Sequence, residues 1–410
     1  MLGSIALGAP PSAAAQDALP EAPPSPPPGR YTLGPFYLTP YFRLGTLGVD
    51  SNVFYTATDR RADFAASGGP GLLTILPLGG KVRAVLDGSL NYIFFLRTES
   101  QRKLAGSARA AVEWRGNRLE GHVQEAFSRS FERSSLEVDS RLLQDQWTTS
   151  GELYVRTPAR LGVRPRVELR RYDLPPGQEF LGTDVAVTLT RRESIFSTDL
   201  DYTLTPKTSI LIGADVQLDR FPLDPTRDAD SNRLYAGLEL RSETRLSGRA
   251  VAGPRFFRPQ DPRRGGDRTV PYVFVDLAYQ IAPRTRALAS YQRDIGYSAF
   301  TGPAAATLTQ KSLAARIEKG LWGRLELYLW GRLIGFRNDG PVRIEEEGKA
   351  SLVRRDDHAR EAGLDLGYRF GSRLRVGLAA SYTSRSSTIA DLGVHGLLVG
   401  GTVSYDPNKR

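Results

Sequence analysis

Apolar and polar side chains alternate along most of this chain. Leu325, Leu327 and Leu329 alternate with Glu326 and Tyr328, and the same two-residue rhythm recurs along the sequence to the C-terminus. Successive side chains of a β-strand point to opposite faces of the sheet, so each such segment has one apolar face and one face that carries charge. The pattern therefore predicts an all-β fold.

The spacing of these segments predicts about 18 strands, within a range of about 16 to 20. The predicted strands cover residues 38–49, 64–77, 79–96, 101–114, 118–131, 144–157, 160–173, 190–204, 207–220, 231–243, 246–259, 268–282, 284–296, 305–319, 322–338, 357–370, 372–386 and 393–405. Residues 174–192 are either a further strand or an extension above the membrane.

The connections between the predicted strands alternate in length. Short turns such as Thr205-Pro206-Lys207 alternate with polar loops at 50–63, 132–143, 174–189, 221–230, 260–267, 297–304, 339–356 and 387–392. Outer-membrane barrels have short periplasmic turns and long external loops. We therefore predict a single closed antiparallel transmembrane β-barrel in a bacterial outer membrane.

Aromatic side chains support this prediction because barrels place them in girdles at the membrane interfaces. Six of them lie at strand ends beside the short turns: Trp114, Tyr202, Tyr279, Trp322, Tyr368 and Phe370.

Composition divides the chain into four segments. We predict a truncated signal peptide at 1–16, unless that segment is no signal at all, a Pro-rich periplasmic linker at 17–33, the barrel at 34–405 and a charged tail at 406–410.

Composition excludes several classes of protein. The 410-residue chain has a mean hydropathy of −0.32 and no long apolar run, which excludes a helical membrane protein but not a barrel with a polar lumen. The net charge is +10, but the arginines are interleaved with acids, so we predict no nucleic-acid binding. The excess positive charge is expected mainly in loops, at Arg60-Arg61, Arg263-Arg264 and Arg354-Arg355, where it would meet anionic lipid, acidic glycan or only solvent.

The inward faces of the strands predict a water-filled lumen with mixed charge. A barrel of this size leaves an aqueous channel, which loops 174–189 and 339–356 are long enough to narrow. Arginines and acids are about equally frequent on the inward faces, which favours polar cargo without an ionic preference. The candidate lumen or translocation residues are Arg164, Arg166, Arg170, Tyr235, Arg249, Arg255, Arg316, Tyr328, Trp330, Arg332, Arg369 and Arg375.

No catalytic or metal-binding arrangement is predicted. His122, His358 and His395 are far apart and lack metal-ligand spacing, and no serine lies in a G-x-S-x-G motif. The pair Asp199 and Asp201 occupies two inward positions of one strand and is interpreted as solvated charge. The chain also has no cysteine, so thiolate chemistry is excluded. We predict that the protein is not an enzyme and has no cofactor.

The N-terminal part of the predicted barrel carries a family resemblance. Gly34-Pro35-Phe36-Tyr37-Leu38-Thr39-Pro40, the element formed by Asp50, Asn52, Val53 and Phe54, and Pro70-Gly71-Leu72 resemble the opening of a family of outer-membrane β-barrel porins often linked with exopolysaccharide export. The resemblance covers about residues 34 to 72. Beyond it, Thr205-Pro206-Lys207-Thr208 is similar to the turns of that family.

The resemblance implies a passive conduit for secreted polysaccharide. Tyr235, Tyr328 and Trp330 either offer ring faces to the glycan or have girdle or packing roles. It implies outer-membrane lipid, the barrel-assembly machinery, polysaccharide and a periplasmic export component as partners. Barrels of this kind end on an aromatic residue that the machinery reads. Here Val403 and Tyr405 are predicted to supply that signal, although five more residues follow. A general or solute-specific uptake porin and a non-transporting structural or adhesive barrel are the alternatives.

Overall fold

The structure is a computed structural model that describes residues 31–57, 59–132, 137–138, 141–180, 182–241, 245–300, 307–346, 349–371, 373–389 and 392–405. The predicted signal peptide, residues 17–30 of the predicted linker and the charged tail lie outside the described residues.

The chain folds almost entirely into antiparallel strands, as its alternation predicts. In chain order, the elements are β1 (Tyr31–Leu33), β2 (Phe36–Asp50), β3 (Asp63–Pro77), β4 (Val82–Phe95), β5 (Lys103–Arg115), β6 (Leu119–Glu132), β7 (Leu142–Arg156), β8 (Leu161–Asp173), β9 (Glu179–Phe180), β10 (Thr183–Asp184), α1 (Val185–Leu189), β11 (Arg191–Thr205), β12 (Thr208–Arg220), β13 (Ala229–Leu240), β14 (Leu246–Pro259), β15 (Arg268–Ala282), β16 (Thr285–Tyr297), β17 (Thr307–Gly320), β18 (Leu325–Asn338), β19 (Val342–Glu346), β20 (Lys349–Val353), β21 (Asp356–Phe370), β22 (Leu374–Ser387) and β23 (Val394–Tyr405).

Eighteen of these strands close into one barrel. They are β2 to β8, β11 to β18 and β21 to β23, and each pairs with its sequence neighbours. The first strand, β2, is hydrogen-bonded both to β3 and to the last strand, β23, with a bulge between Leu44 and Leu47. Closure leaves no unpaired sheet edge. The predicted fold class and strand number are confirmed, and the strand bounds agree to within a few residues.

Connections at the two ends of the barrel differ in length. Between successive barrel strands, connections of two to five residues alternate with connections of six to seventeen residues. The short ones are tight turns, and in one of them Gly371 has a φ of 65°, a conformation that glycine adopts without strain. Both ends of the barrel sequence lie on the short-turn side, so the long loops are external.

The outer face of the barrel is an apolar belt. Leu86, Leu169, Ile212, Leu333 and Leu378 are all exposed there. Such a surface is unfavourable in water and favourable in hydrocarbon. Five aromatic side chains predicted for the periplasmic girdle are exposed at the short-turn side: Tyr202, Tyr279, Trp322, Tyr368 and Phe370. The architecture places the chain in a bacterial outer membrane, as predicted.

Five short strands and the helix α1, in three segments of the chain, lie outside the barrel. Tyr31–Leu33, within the predicted linker, form a hairpin with the start of β2. The long connection between β8 and β11 contains the β9–β10 pair and the helix α1, and it is not an additional barrel strand. β19 and β20 form a hairpin between β18 and β21. No helix in the described ranges is long and apolar enough to cross a membrane.

Candidate functional site

Contacts between strands that are not neighbours identify the inner face of the barrel. Arg164 on β8 lies 3.7 Å from Glu239 on β13, which is three strands further round the sheet. Tyr235 on β13 donates a hydrogen bond to Asp199 on β11. Side chains from separated strands converge on the concave side of a closed sheet. The face that carries most of the charged side chains is therefore the lumen wall.

Asp199 is the centre of an ionic cluster in the half of the lumen nearer the short turns. Its carboxylate is fully buried and accepts a hydrogen bond of 2.6 Å from the Tyr235 hydroxyl. Its Oδ2 atom lies 3.5 Å from Arg166 and 3.3 Å from Arg249. Burial of a carboxylate is costly unless the charge is compensated. The cluster therefore couples β8, β11, β13 and β14.

A second ionic cluster lies nearer the external loops. Arg255, whose side chain is 3% exposed, lies 2.7 Å from Asp294. Arg233 bridges two acids, at 3.2 Å from Asp294 and 2.7 Å from Asp215. These contacts join β12, β13, β14 and β16, so the charges are satisfied laterally, within the wall.

A third cluster lies on β17, β18, β21 and β22. Glu326 lies 2.8 Å from Arg369 and 3.3 Å from Arg375. Tyr328 donates a hydrogen bond of 3.1 Å to Glu326. The guanidinium groups of Arg316 and Arg375 lie 5.0 and 4.9 Å from the centre of the Tyr328 ring, within the range of cation–π contact.

We refer to the inner face formed by the first two clusters as the packed wall. Its members are Glu152, Tyr154, Arg164, Arg166, Glu168, Arg170, Glu193, Asp199, Asp201, Asp215, Gln217, Asp219, Ser231, Arg233, Tyr235, Glu239, Arg249, Arg255 and Asp294, which contact one another through hydrogen bonds or ion pairs. Most of these side chains are buried.

All twelve residues predicted for the lumen lie on the inner face of the barrel. Arg164, Arg166, Arg170, Tyr235, Arg249 and Arg255 belong to the packed wall, and Arg316, Tyr328, Arg369 and Arg375 to the third cluster. The Trp330 ring lies over Gly363, and Arg332 lies 3.9 Å from Glu361. Sequence reasoning missed how completely these side chains contact one another. Contact with a passing solute stays a prediction.

Tyrosine–carboxylate pairs recur on the inner face. Tyr41 donates to Asp87 at 2.8 Å, and Tyr154 donates to Asp201 at 2.9 Å. Tyr235 is 6% exposed, so its ring offers little surface to a glycan. The signal in the sequence was an inward tyrosine on a strand close to one with an inward acid, but the pairing partner depends on the register between strands.

Small side chains line the middle of the opposite side of the lumen, between the short turns and the external loops. We refer to it as the small-residue wall, formed on β3, β4, β5 and β23 by Ser67, Gly69, Gly71, Ser89, Ser107, Gly400 and Thr402. Ser89 and Ser107 are hydrogen-bonded at 3.0 Å, and Ser107 is exposed although it faces inward. Arg109 on β5 has a side chain that is 39% exposed. This side of the lumen therefore faces open, aqueous space.

An apolar core joins the external loops. We refer to it as the loop cap, which consists of Val138, Leu142, Leu174, Phe180, Val185, Ala186, Leu189, Ala299, Phe300 and Leu392, with Val353 and Ile389 packed against them. Apart from Leu142, the first residue of β7, these residues belong to five connections that start from strands distributed round the barrel. Apolar side chains at the ends of loops bury one another when the loops meet. The loops therefore converge over the mouth.

Hydrogen bonds fix the loop cap across the mouth. Glu137, between β6 and β7, accepts hydrogen bonds from Ser298 Oγ and the Ala299 N–H, both at 2.6 Å. It also accepts one of 3.0 Å from Asn338 Nδ2. Residues 298 and 299 follow β16, seven strands from β7 in one direction round the barrel. Loops from nearly opposite sides of the barrel are thus linked directly.

Arg227 anchors the same segment from a further loop. It is buried, and its guanidinium donates to the Phe300 carbonyl oxygen at 3.1 Å and also to that of Ser298. Burial and the nearby Arg264 lower the pKa of Arg227 to about 10. Both loops that were predicted to narrow the channel take part in the loop cap. Loop 174–189 contributes buried members, and loop 339–356 contributes Val353, which packs against them. The shorter loops were not predicted to take part.

The loop arginines differ from expectation. Arg264 lies 3.2 Å from Asp224, and Arg355 is fully buried at 2.7 Å from Asp357. Arg263 pairs with Asp261. Nearby acids compensate most of these loop arginines once the loops fold. The prediction that the excess positive charge lies mainly in these loops is therefore wrong.

The family-like element forms the first external loop. Asp50 accepts a hydrogen bond from the Asn52 N–H at 3.0 Å and lies 2.9 Å from Arg141. The buried Asn52 side chain donates to the carbonyl oxygens of Thr56 and His395, at 2.9 and 3.2 Å. These contacts tie the first loop to the last strand, where the barrel closes. The contacts give a structural reason for an aspartate at position 50 and an asparagine at position 52.

Val53 is fully buried beneath this loop, whereas Phe54 lies near the surface, where its ring centre is 6.0 Å from the Arg61 guanidinium. At the other end of the chain, Val403 and Tyr405 pair with Leu44 and Phe42 of the first barrel strand. Both lie on the final strand at the short-turn side, where the predicted assembly signal would be read. Recognition by the assembly machinery stays a prediction.

Comparisons with known proteins leave the family open. No family model matches the chain, and no curated protein matches it. Among solved structures, it is similar to the siderophore receptor PirA from Pseudomonas aeruginosa, with a TM-score of 0.47 and 10% identity over 92% of this chain and 81% of that one. OpdK from Pseudomonas aeruginosa, solved with vanillate, gives a TM-score of 0.44 and 13% identity over 90% and 96%.

The FrpB iron transporter from Neisseria meningitidis gives a TM-score of 0.45 and 9% identity over 87% of this chain and 63% of that protein. This chain therefore spans less than two thirds of the length of FrpB. The descriptions name a receptor for PirA and a transporter for FrpB, and identities this low assign no substrate to this chain.

Proposed function

We propose that the protein is a gated outer-membrane channel for small, polar, hydrogen-bonding solutes. The water-filled path runs beside the small-residue wall, because the packed wall fills its own side of the lumen with paired charges. Barrels of this strand number leave an aqueous interior. The exposed inward side chains of Ser107 and Arg109 support a path on that side.

The loop cap supports the gated character of this channel. The observation that carries the proposal is the direct hydrogen bonding of Glu137 to Ser298 and Ala299 across the mouth. Hydrogen bonds to a charged group contribute about 1.5 to 3 kcal/mol each. In this conformation the mouth is covered, and passage of a solute requires the loops to separate.

Planar-bilayer recording of Glu137→Ala tests the proposal. The substitution removes the acceptor of three hydrogen bonds, so we expect the frequency of channel opening to rise at least about tenfold over the wild type. Glu179→Ala is the matched control, because Glu179 is an exposed acid in another external loop. Equal opening of the wild type and Glu137→Ala would contradict the proposed gate.

Two other functions are kept as alternatives. A conduit for secreted polysaccharide, with a periplasmic export component as partner, is favoured by the element at Asp50 to Phe54, although the covered mouth and the buried Tyr235 ring do not suit a passively open conduit. A non-transporting barrel is favoured by the loop cap itself. Bilayers that show no conductance for either the wild type or Glu137→Ala would support the non-transporting barrel.

A further inference from the structure

A group of four cations on consecutive strands lies on the outer face of the barrel, where apolar side chains are expected. They are Arg293 on β16, Lys311 on β17, Arg337 on β18 and Arg360 on β21, which we call the cationic quartet. Arg293 is the direct cross-strand neighbour of Lys311, and Arg360 that of Leu333.

The register places the quartet on the lipid-facing side. Lys311 and Leu313 are two residues apart on β17, and Arg360 is opposite Leu333 on β18. Leu313 and Leu333 are 47% and 53% exposed as part of the apolar belt. Residues two apart on a strand share a face, as do direct cross-strand neighbours. Lys311, Arg337 and Arg360 are themselves exposed.

No counter-ion from the described part of the chain compensates the quartet. None of its members forms an ion pair or side-chain hydrogen bond there, in contrast to the arginines of the packed wall. The one acid directly opposite a member is Asp356, across from Arg337, and it lies 3.6 Å from His358. Four neighbouring cations with so little compensation repel one another unless an anion lies between them.

Two members of the quartet lie at the height of the outer lipid headgroups. Lys311 is nine residues from the short-turn end of β17, and Arg360 is ten residues from that end of β21. At about 3.3 Å per residue and a tilt of about 40°, this corresponds to about 25 Å, the height of the apolar band of outer-membrane barrels. The phosphate groups of outer-leaflet lipid lie at that level.

A shallow apolar groove runs over the belt directly below the quartet. Its floor consists of small residues in register on three strands, Ala315 on β17, Gly331 on β18 and Ala362 on β21. Larger apolar side chains border it, among them Leu329 and Leu364. Ala362 is two residues from Arg360 on the same face, so the groove begins immediately below the cations.

We propose that these two features form one binding site for a phosphate-bearing lipid of the outer leaflet. The quartet binds the headgroup phosphate through charge-assisted hydrogen bonds, and the groove receives an acyl chain. Neither the interior of the barrel nor the loop cap takes part. The site is therefore independent of the proposed channel activity.

The test measures lipid retained by the full chain after purification in neutral detergent, by native mass spectrometry with added bis-phosphorylated lipid A. We expect the triple variant Lys311→Gln, Arg337→Gln, Arg360→Gln to retain at least tenfold less lipid than the wild type. The control triple variant Arg118→Gln, Lys319→Gln, Arg324→Gln removes the same charge at the short-turn side and is expected to retain as much as the wild type. Detergent-resistant folding is checked for each variant.

Two further arms identify the ligand. Gly331→Leu fills the groove without touching the cations, and we expect it to reduce retention about threefold through the lost acyl contact. Dephosphorylated lipid A is expected to bind the wild type as poorly as the phosphorylated lipid binds the triple variant. Retention by the triple variant within twofold of the wild type would overturn the site. Displacement of the lipid by inorganic phosphate, combined with normal retention by Gly331→Leu, would overturn the lipid assignment.

Discussion

The packed wall and the small-residue wall accommodate polar side chains inside the barrel in different ways. On the packed wall, charged side chains are large, buried and paired, as Arg255 with Asp294 at 2.7 Å. On the small-residue wall, Ser89 and Ser107 leave the backbone close to open water, and Arg109 is only partly covered. Both sides are polar, but only one presents its polar groups to solvent.

The difference teaches that a charged lumen face need not be a solute-binding face. A buried charge on the packed wall is satisfied by its neighbours, so it stabilises the barrel and narrows the channel without attracting cargo. A partly exposed charge beside small residues still acts on a passing ion. The proposed path is therefore eccentric, and its selectivity depends on few residues.

The largest expected effect separates the two walls by stability. Asp199→Asn removes the buried counter-charge of Arg249 and one of the two acids beside Arg166, and we expect it to lower the free energy of unfolding by about 3 kcal/mol. Asp87→Asn, on the side of the small-residue wall, keeps an acceptor for Tyr41 and is expected to cost less than about 1 kcal/mol. Urea unfolding in detergent measures both. Equal losses would remove the distinction between the walls.

The next prediction concerns the width of the channel. In the Glu137→Ala background, Ser107→Trp places an indole in the proposed path, and we expect single-channel conductance to fall by roughly a factor of two or more. Ala108→Trp adds the same ring to the lipid-facing side of the same strand and is expected to leave conductance unchanged. A fall in both variants, or in neither, would place the path elsewhere.

Ion selectivity gives a smaller effect. Arg43 faces inward beside the small-residue wall and is exposed, with its guanidinium 4.5 Å from the Tyr41 ring centre. Arg43→Glu is expected to shift the reversal potential in a salt gradient toward cation preference, most clearly at low ionic strength. Arg192→Glu makes the same charge change on the outer face, and there we expect no shift. A shift in that control would mean that the net charge of the protein, and not the charge at the small-residue wall, determines ion selectivity.

The smallest effect is expected outside both walls. The side chain and backbone N–H of Arg263 bind Asp261 in an exposed loop and lower the pKa of Asp261 to about 2. The lowered pKa stabilises the folded protein at pH values above 3.8, the ordinary pKa of this carboxylate. This stabilisation is lost as the pH falls through about 2. A carboxyl NMR titration should give that midpoint, and because solvent screens an exposed pair, Asp261→Asn should change the unfolding curve less than any variant above. A midpoint near 3.8 would show that the pair does not form.

Sequence reasoning was most successful where the physical cause is local. The alternation around Leu325 to Leu333 predicts a strand because side chains alternate in any strand, whatever lies beside it. The same rule placed Arg164, Tyr235 and Arg375 inward. It did not reveal the cationic quartet, because Lys311, Arg337 and Arg360 break the apolar rhythm only at the external ends of strands, and their proximity depends on register.

The sequence by itself determined the strand number, the faces of the strands and the membrane they suit, because period and turn spacing are properties of neighbouring residues. Only the tertiary structure decided which charges meet, such as Arg164 with Glu239 three strands away, and that Glu137 reaches Ser298 across the mouth. Those contacts exist because closure curves the sheet and brings distant strands and loops over a common centre.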